Sequence, residues 1–168
     1  MAALLNNKKL CFVGSGNMGE ALISGLVGSK IAKPKNIICT DIREEKLERI
    51  AKDDGVLTST DNLASVSESE IIVYAVKPQM MATVLKETAP VLDMSKLIIS
   101  IAAGVPMAAI ESSLNNELRA IRVMPNIAAS VKESASAIAA GKNVLEGDVD
   151  LAMAIFDSIG KSIFLREN

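Results

Sequence analysis

Histidine and tryptophan are absent from this chain, tyrosine occurs once, phenylalanine three times and cysteine twice. Without an imidazole there is no Ser-His-Asp triad, no histidine general base and no histidine-containing metal site. Cys11 and Cys39 are too few for a thiolate zinc site and sit inside apolar runs, so they read as small core residues without a disulfide framework. No metal is expected. With so few aromatics to stack bases, and 18 Lys and Arg balanced by 20 Asp and Glu, no nucleic acid partner is expected either. Apolar runs such as residues 97–105 fall far short of the roughly 18–20 residues that span a bilayer, so no membrane span is expected. At the N-terminus the apolar residues 2–5 precede Lys8 and Lys9, the reverse of a secretory signal. The chain reads as cytoplasmic.

What is present is the composition of an ordinary globular protein, 49% hydrophobic and 23% charged. A chain of 168 residues buries roughly two thirds of its unfolded surface and needs no staples. Short apolar runs alternate with helix-length segments throughout: strands are expected at 9–13, 36–40, 56–57, 71–76, 97–101 and 120–123, with helices at 18–29, 44–52, 60–67, 80–87 and 107–114. Glu45 and Arg49 are spaced to pair along the second of these helices. The uninterrupted run at 71–76 fits a central parallel strand covered on both faces. A further strand (136–140), helix (147–159) and strand (162–165) follow. With no linker, repeat or low-complexity segment, residues 1–168 read as one α/β domain, doubly wound around a mostly parallel sheet of the Rossmann type.

The most informative segment is Gly14-Ser15-Gly16-Asn17-Met18-Gly19, a G-x-G-x-x-G directly after the first strand and opening the first helix. Gly14 permits the sharp turn, Gly16 lets backbone approach a pyrophosphate, and Gly19 lets helix and strand pack closely. The helix start adds unpaired N–H groups and about half a positive charge. Asp41 follows 22 residues after Gly19, at the end of the second strand, where a carboxylate meets ribose hydroxyls. Together these predict a dinucleotide site.

Asp41 and Arg43 pull the choice of dinucleotide in opposite directions. Asp41 facing the ribose binds the free 2′-hydroxyl of NADH and repels a 2′-phosphate by a few kcal/mol at an effective dielectric near 20. If Asp41 turns away, Arg43 can hold the 2′-phosphate of NADPH through charge-assisted bonds worth about 1.5–3 kcal/mol. Both cofactors stay open on sequence alone.

Four segments, in order, resemble the pyrroline-5-carboxylate reductase family: Gly14 to Gly19 (GSGNMG), Ala75-Val76-Lys77-Pro78-Gln79, Ser100 to Val105 (SIAAGV) and Arg122-Val123-Met124-Pro125-Asn126. The resemblance implies a Rossmann-type domain that holds NADPH or NADH, reduces the cyclic imine 1-pyrroline-5-carboxylate and so makes L-proline. It assigns the loop Gly14, Ser15, Gly16, Asn17, Met18 and Gly19 to the pyrophosphate. Asn62, beside the short helix, would contact the cofactor, and Ala75, Val76, Lys77 and Pro78 would line its nicotinamide side. Ala103, Met124, Pro125 and Asn126 would lie where ring and substrate meet. Plainer roles compete: Lys77 as a solvated residue at a strand stop, Asn62 as a cap, Pro125-Asn126 as a turn and Met124 as packing.

Two departures stand out. Where the family continues Met-Pro-Asn with Thr-Pro-Ala, this chain has Ile127-Ala128-Ala129. The family also carries a C-terminal helical domain that forms its homo-oligomer and completes the substrate pocket, so these residues resemble the N-terminal domain alone and are expected to bind NAD(P)H but turn substrate over feebly. A cyclic imine, unlike a carbonyl, can be protonated before hydride arrives, so the lack of histidine is compatible with the chemistry. No catalytic acid or base is assigned. Two other readings stay open: a β-hydroxyacid or 6-phosphogluconate-type dehydrogenase domain, which shares the early motif, and a non-catalytic nucleotide-sensing module, which the altered Ile127-Ala128-Ala129 turn motivates.

Overall fold

The computed structural model describes residues 2–115 and 117–166. A short helix α1 (Ala2–Leu5) precedes β1 (Leu10–Val13), after which come α2 (Asn17–Gly28), β2 (Ile37–Thr40), α3 (Glu44–Asp54), β3 (Leu57–Ser59), α4 (Asn62–Ser67) and β4 (Ile71–Tyr74). The chain continues through α5 (Met81–Thr88), β5 (Leu97–Ser100), α6 (Met107–Ser113), β6 (Arg119–Met124), β7 (Ser134–Ala140), α7 (Asp148–Phe156) and β8 (Gly160–Phe164). The strands form one sheet in the order β3-β2-β1-β4-β5-β6-β7-β8. The first six strands in the chain run parallel, β7 is antiparallel to β6, and β8 is parallel to β7.

Alternation along the strands divides the core into two layers. Leu10 and Phe12 of β1, with Ile71 and Val73 of β4, face the side covered by α2, α3 and α7, where Leu22, Leu26, Leu47 and Ile155 are buried. Cys11 and Val13, with Ile72 and Tyr74, face the side of α4, α5 and α6, where Val66, Val84, Leu85 and Ile110 are buried. Burial on both faces is why these strands are apolar at every position.

The register sets the site. Val13 lies opposite Thr40 on one side and Tyr74 on the other, so β1, β2 and β4 end level. Gly14, Asp41 and Ala75 therefore emerge together at the carboxyl edge of the sheet, with Gly14 N–H donating to the Thr40 carbonyl at 2.9 Å and Ala75 N–H to Val13 at 2.8 Å. The chain turns from β1 toward β2 on one side and returns at β4 on the other, the switch point at which open α/β sheets form a crevice.

The expected elements are present, with three informative differences. The last helix stops at Phe156 and tightens into a 3-10 turn over Asp157–Ile159, where the Ser158 hydroxyl donates to the Ile155 carbonyl at 2.6 Å and competes with the helical ladder. Strands β7 and β8 begin two residues before the expected positions, because backbone pairing of Ser134 with Gly160 and of Ala135 with Lys161 extends them through residues of weak strand character. Arg49 reaches across to Glu20 of α2 at 2.9 Å rather than pairing with Glu45 within α3.

At the opposite edge, Asp148 accepts from Arg119 at 2.8 Å and from Leu145 N–H at 2.7 Å, and Arg119 also donates to the Ser95 carbonyl at 2.9 Å. This buried pair fastens the start of α7 to β6. No helix among the described residues is long and apolar enough to cross a membrane.

Candidate functional site

Three glycines shape the turn between β1 and α2 for different reasons. Gly14 has φ +94°, and a Cβ there would lie 2.8 Å from the Ala75 carbonyl oxygen and 2.9 Å from Val76 Cγ1. At Gly19 a Cβ would meet the Gly14 oxygen at 2.9 Å and Ala75 Cβ at 3.1 Å, so the helix sits directly on the turn. Gly16 differs: a Cβ would touch only the Ala75 oxygen, at 3.6 Å, and the backbone is extended (φ −62°, ψ 176°). The fold demands glycine at 14 and 19, whereas at 16 it leaves open room over the helix start.

That helix start is bare. Gly16 is the N-cap of α2 without a side-chain cap, and the Glu20 N–H to Gly16 carbonyl bond, at 3.0 Å, closes the first turn. The N–H groups ahead of Glu20 point away from the helix body, a ready anion cradle.

Asp41 is committed to the loop. Its Oδ2 accepts from Ser15 N–H at 3.0 Å and from the Ser15 hydroxyl at 2.5 Å. Arg43 closes on the same carboxylate, Nε to Oδ1 at 3.0 Å and Nη2 to Oδ2 at 3.1 Å, with its backbone N–H on Oδ1 at 3.0 Å. Burial by itself raises the Asp41 pKa, but the hydrogen bonds from Arg43 and Ser15 outweigh it and hold the carboxyl well below the usual range. The Asp41 side chain is 7% exposed and that of Arg43 54%, so the carboxylate is covered while much of the Arg43 side chain stays open to solvent.

A cavity of about 410 Å³ opens at this point, walled by Gly14, Ser15, Gly16, Asp41, Arg43, Asn62, Ala75, Val76 and Lys77 among the sequence-predicted residues. Val13, Thr40, Ile42, Thr60, Met80 and Val84 complete the wall. None of these six was assigned to the site from the sequence: Val13 and Thr40 end β1 and β2, Ile42 and Thr60 follow β2 and β3, and Met80 and Val84 come from the turn before α5 and from α5 itself, so only the folded chain brings them together. Pro78 starts the 3-10 turn Pro78–Met80 that carries Met80 to the wall.

Other predicted residues lie elsewhere. Gly19 packs beneath the turn, and Asn17 and Met18 line a second cavity of about 520 Å³ beside Ala129 and Lys132, so the loop separates two hollows. Ala103 is exposed in the turn after β5, and Met124 is 52% exposed at the end of β6, not packed. Pro125 follows it half-buried. The Asn126 side chain accepts from Ala128 N–H at 3.1 Å and caps the turn Ile127–Val131. Asn62 is not the cap of α4; Asp61 is, accepting from Ala64 N–H at 3.0 Å.

Lys77 is exposed at the cavity wall. Burial pushes the Cys39 thiol up to about 12 and holds Cys11 higher still, in keeping with core roles. Among the described residues no cluster of three or more acidic or thiol side chains is arranged to hold a metal ion.

Residues 9–104 match the family model described as NADP oxidoreductase coenzyme F420-dependent. A pyrroline-5-carboxylate reductase from Methanosarcina acetivorans is 42% identical over 98% of this chain and 61% of its own length. A solved pyrroline-5-carboxylate reductase from Coxiella burnetii superposes with a TM-score of 0.93 at 30% identity, over 97% of this chain and 60% of that one. The enzyme from Plasmodium falciparum, solved with NADP bound, superposes with a TM-score of 0.86 at 31% identity, over 97% of this chain and 59% of that one. The chain thus spans about 60% of the length of the relatives it matches. It belongs to the NADP oxidoreductase family described as coenzyme F420-dependent, and within it to the pyrroline-5-carboxylate reductases, as the counterpart of their N-terminal nucleotide-binding domain.

Proposed function

We propose that residues 1–168 are one dinucleotide-binding domain of a pyrroline-5-carboxylate reductase, which takes NADPH and delivers hydride to the C=N carbon of 1-pyrroline-5-carboxylate to give L-proline. The observation that carries this is the contrast among the glycines: positions 14 and 19 are filled by the fold itself, while Gly16 borders open space over an uncapped helix start. The residues present therefore fit a pyrophosphate. Bound there, the reduced nicotinamide supplies the hydride.

The chain's own contribution is binding and orientation. Backbone N–H groups at the start of α2 receive the diphosphate charge. Asp41, by holding Ser15, keeps the loop in its receiving shape. Because Asp41 already accepts from Ser15 and Arg43, it has little capacity left for a ribose diol, and Arg43 screens its charge. The exposed Arg43 side chain is then available to a 2′-phosphate, which favours NADPH, in line with the NADP held by the Plasmodium falciparum relative. The imine nitrogen accepts its proton ahead of hydride, which asks for no histidine. Assembly into homo-oligomers is proposed on the same kinship.

Two measurements test this. Titration should show NADPH binding more tightly than NADH, with the ratio moving toward unity in Arg43→Ala. NADPH oxidation by the gene product should require pyrroline-5-carboxylate. Reduction of NADP+ by a β-hydroxyacid, without pyrroline-5-carboxylate reduction, would move the protein to a different dehydrogenase class.

A further inference from the structure

Asn62 stands between two partners that fix its amide. The Thr40 hydroxyl donates to Asn62 Oδ1 at 2.6 Å, and Asn62 Nδ2 donates to Glu87 Oε2 at 3.1 Å. Thr40 is buried at the end of β2, and Thr40 and Asn62 both line the 410 Å³ cavity. Glu87 does not line it: it belongs to α5, three residues after Val84, which does. The neighbouring Thr88 anchors that helix, bonding Tyr74 Oη at 2.7 Å and donating to the Val84 carbonyl at 2.7 Å.

The polarity of this relay is set from its outer end. An ionised carboxylate only accepts, so it holds the Asn62 NH2 group toward α5 and the Asn62 oxygen toward β2. One Nδ2 hydrogen and one oxygen lone pair remain for a ligand in the cavity, in a fixed arrangement. We infer that Glu87 is a positioning residue for the dinucleotide: acting through Asn62, it presents that amide to the adenosine end of the cofactor, beside Asp41 and Arg43. This rests on the dinucleotide-binding function proposed above.

The sign of the effect separates positioning from simple charge. Glu87 is a negative group near a site for a polyanion, so its removal by Glu87→Gln would tighten binding if Coulomb repulsion were its only role. Glutamine can both donate and accept, however, so it no longer dictates the amide orientation. Calorimetric titration with NADPH of the wild-type chain, Glu87→Gln, Asn62→Ala and the double variant reads this directly. Each single substitution is expected to weaken binding about five-fold, the scale of one hydrogen bond, and the double variant to bind no more weakly than Asn62→Ala alone. Unchanged or tighter binding by Glu87→Gln, or a loss that persists in the Asn62→Ala background, would overturn the inference. A wild-type chain that binds no NADPH would instead overturn the function on which it rests. Glu87 is exposed, so Glu87→Gln is expected to leave the fold intact for the comparison.

Discussion

Ser15 gives both its N–H and its hydroxyl to a single oxygen of Asp41, at 3.0 and 2.5 Å, across 26 residues of chain. The carboxylate at the end of β2 is therefore part of the glycine turn between β1 and α2, and the shape of the turn depends on it.

Asp41→Ala leaves the buried Ser15 N–H without its acceptor and should lower stability by about 1–3 kcal/mol, together with dinucleotide affinity. The Asp41 pKa is depressed below its ordinary 3.8 in the folded chain. The stabilisation is thus present above pH 3.8 and is lost progressively as pH falls from there through the lower folded value. Denaturant melts of wild type and Asp41→Ala should differ by a constant amount from neutrality to about pH 4 and converge below it.

Gly14→Ala should destabilise by roughly 2 kcal/mol or more, because it combines strained backbone with a clash against Ala75. Gly19→Ala should destabilise too, through the Gly14 carbonyl it would press on. Thermal melts compared with Gly16→Ala, which should stay within about 0.5 kcal/mol of wild type, separate the fold's glycines from the ligand's.

Asp148→Ala removes one partner of a buried ion pair and should cost about 3 kcal/mol of stability. Arg119 and Asp148 lie at the amino edge of β6 and the start of α7, away from the cavity, so NADPH affinity of the folded variant should match wild type. A parallel loss of affinity would show that the two ends of the sheet are coupled.

Both thiols are buried and their pKa values are raised, so neither should react with a thiol reagent at pH 8 until the chain unfolds. In the unfolded chain a thiol ionises near pH 9.0, whereas folded Cys39 holds its proton to about 12. Stability is therefore present below pH 9.0 and falls as pH rises toward 12, by about 1.4 kcal/mol per pH unit for each thiol. Cys39→Ala should show a shallower alkaline decline in denaturant melts.

Much of this is legible in the amino-acid order. The runs LCFV, IIVY and, up to Ser100, LIIS lack the polar alternation of a half-exposed strand because both faces of the sheet are covered, and the G-x-G-x-x-G after the first of them marks the turn. What spacing does not reveal is where a side chain points once strands pair. Asp41 occupies the position where a ribose-binding acid is expected, yet its carboxylate is claimed by Ser15, a contact made only when β1 and β2 end level. Likewise nothing in the spacing ties Glu87 to Asn62; the two meet only when α5 is laid beside α4. The starts of β7 and β8 escape detection because Ser134, Ala135, Gly160 and Lys161 pair through backbone alone and carry no apolar signal.

The most direct test is a calorimetric titration of wild type and Gly16→Val with NADPH, alongside thermal melts of both. A diphosphate held over the start of α2 predicts saturable binding by wild type, and a folded Gly16→Val whose affinity is lower by about tenfold or more. No heat of binding with wild type, or equal affinity in a folded Gly16→Val, would contradict it.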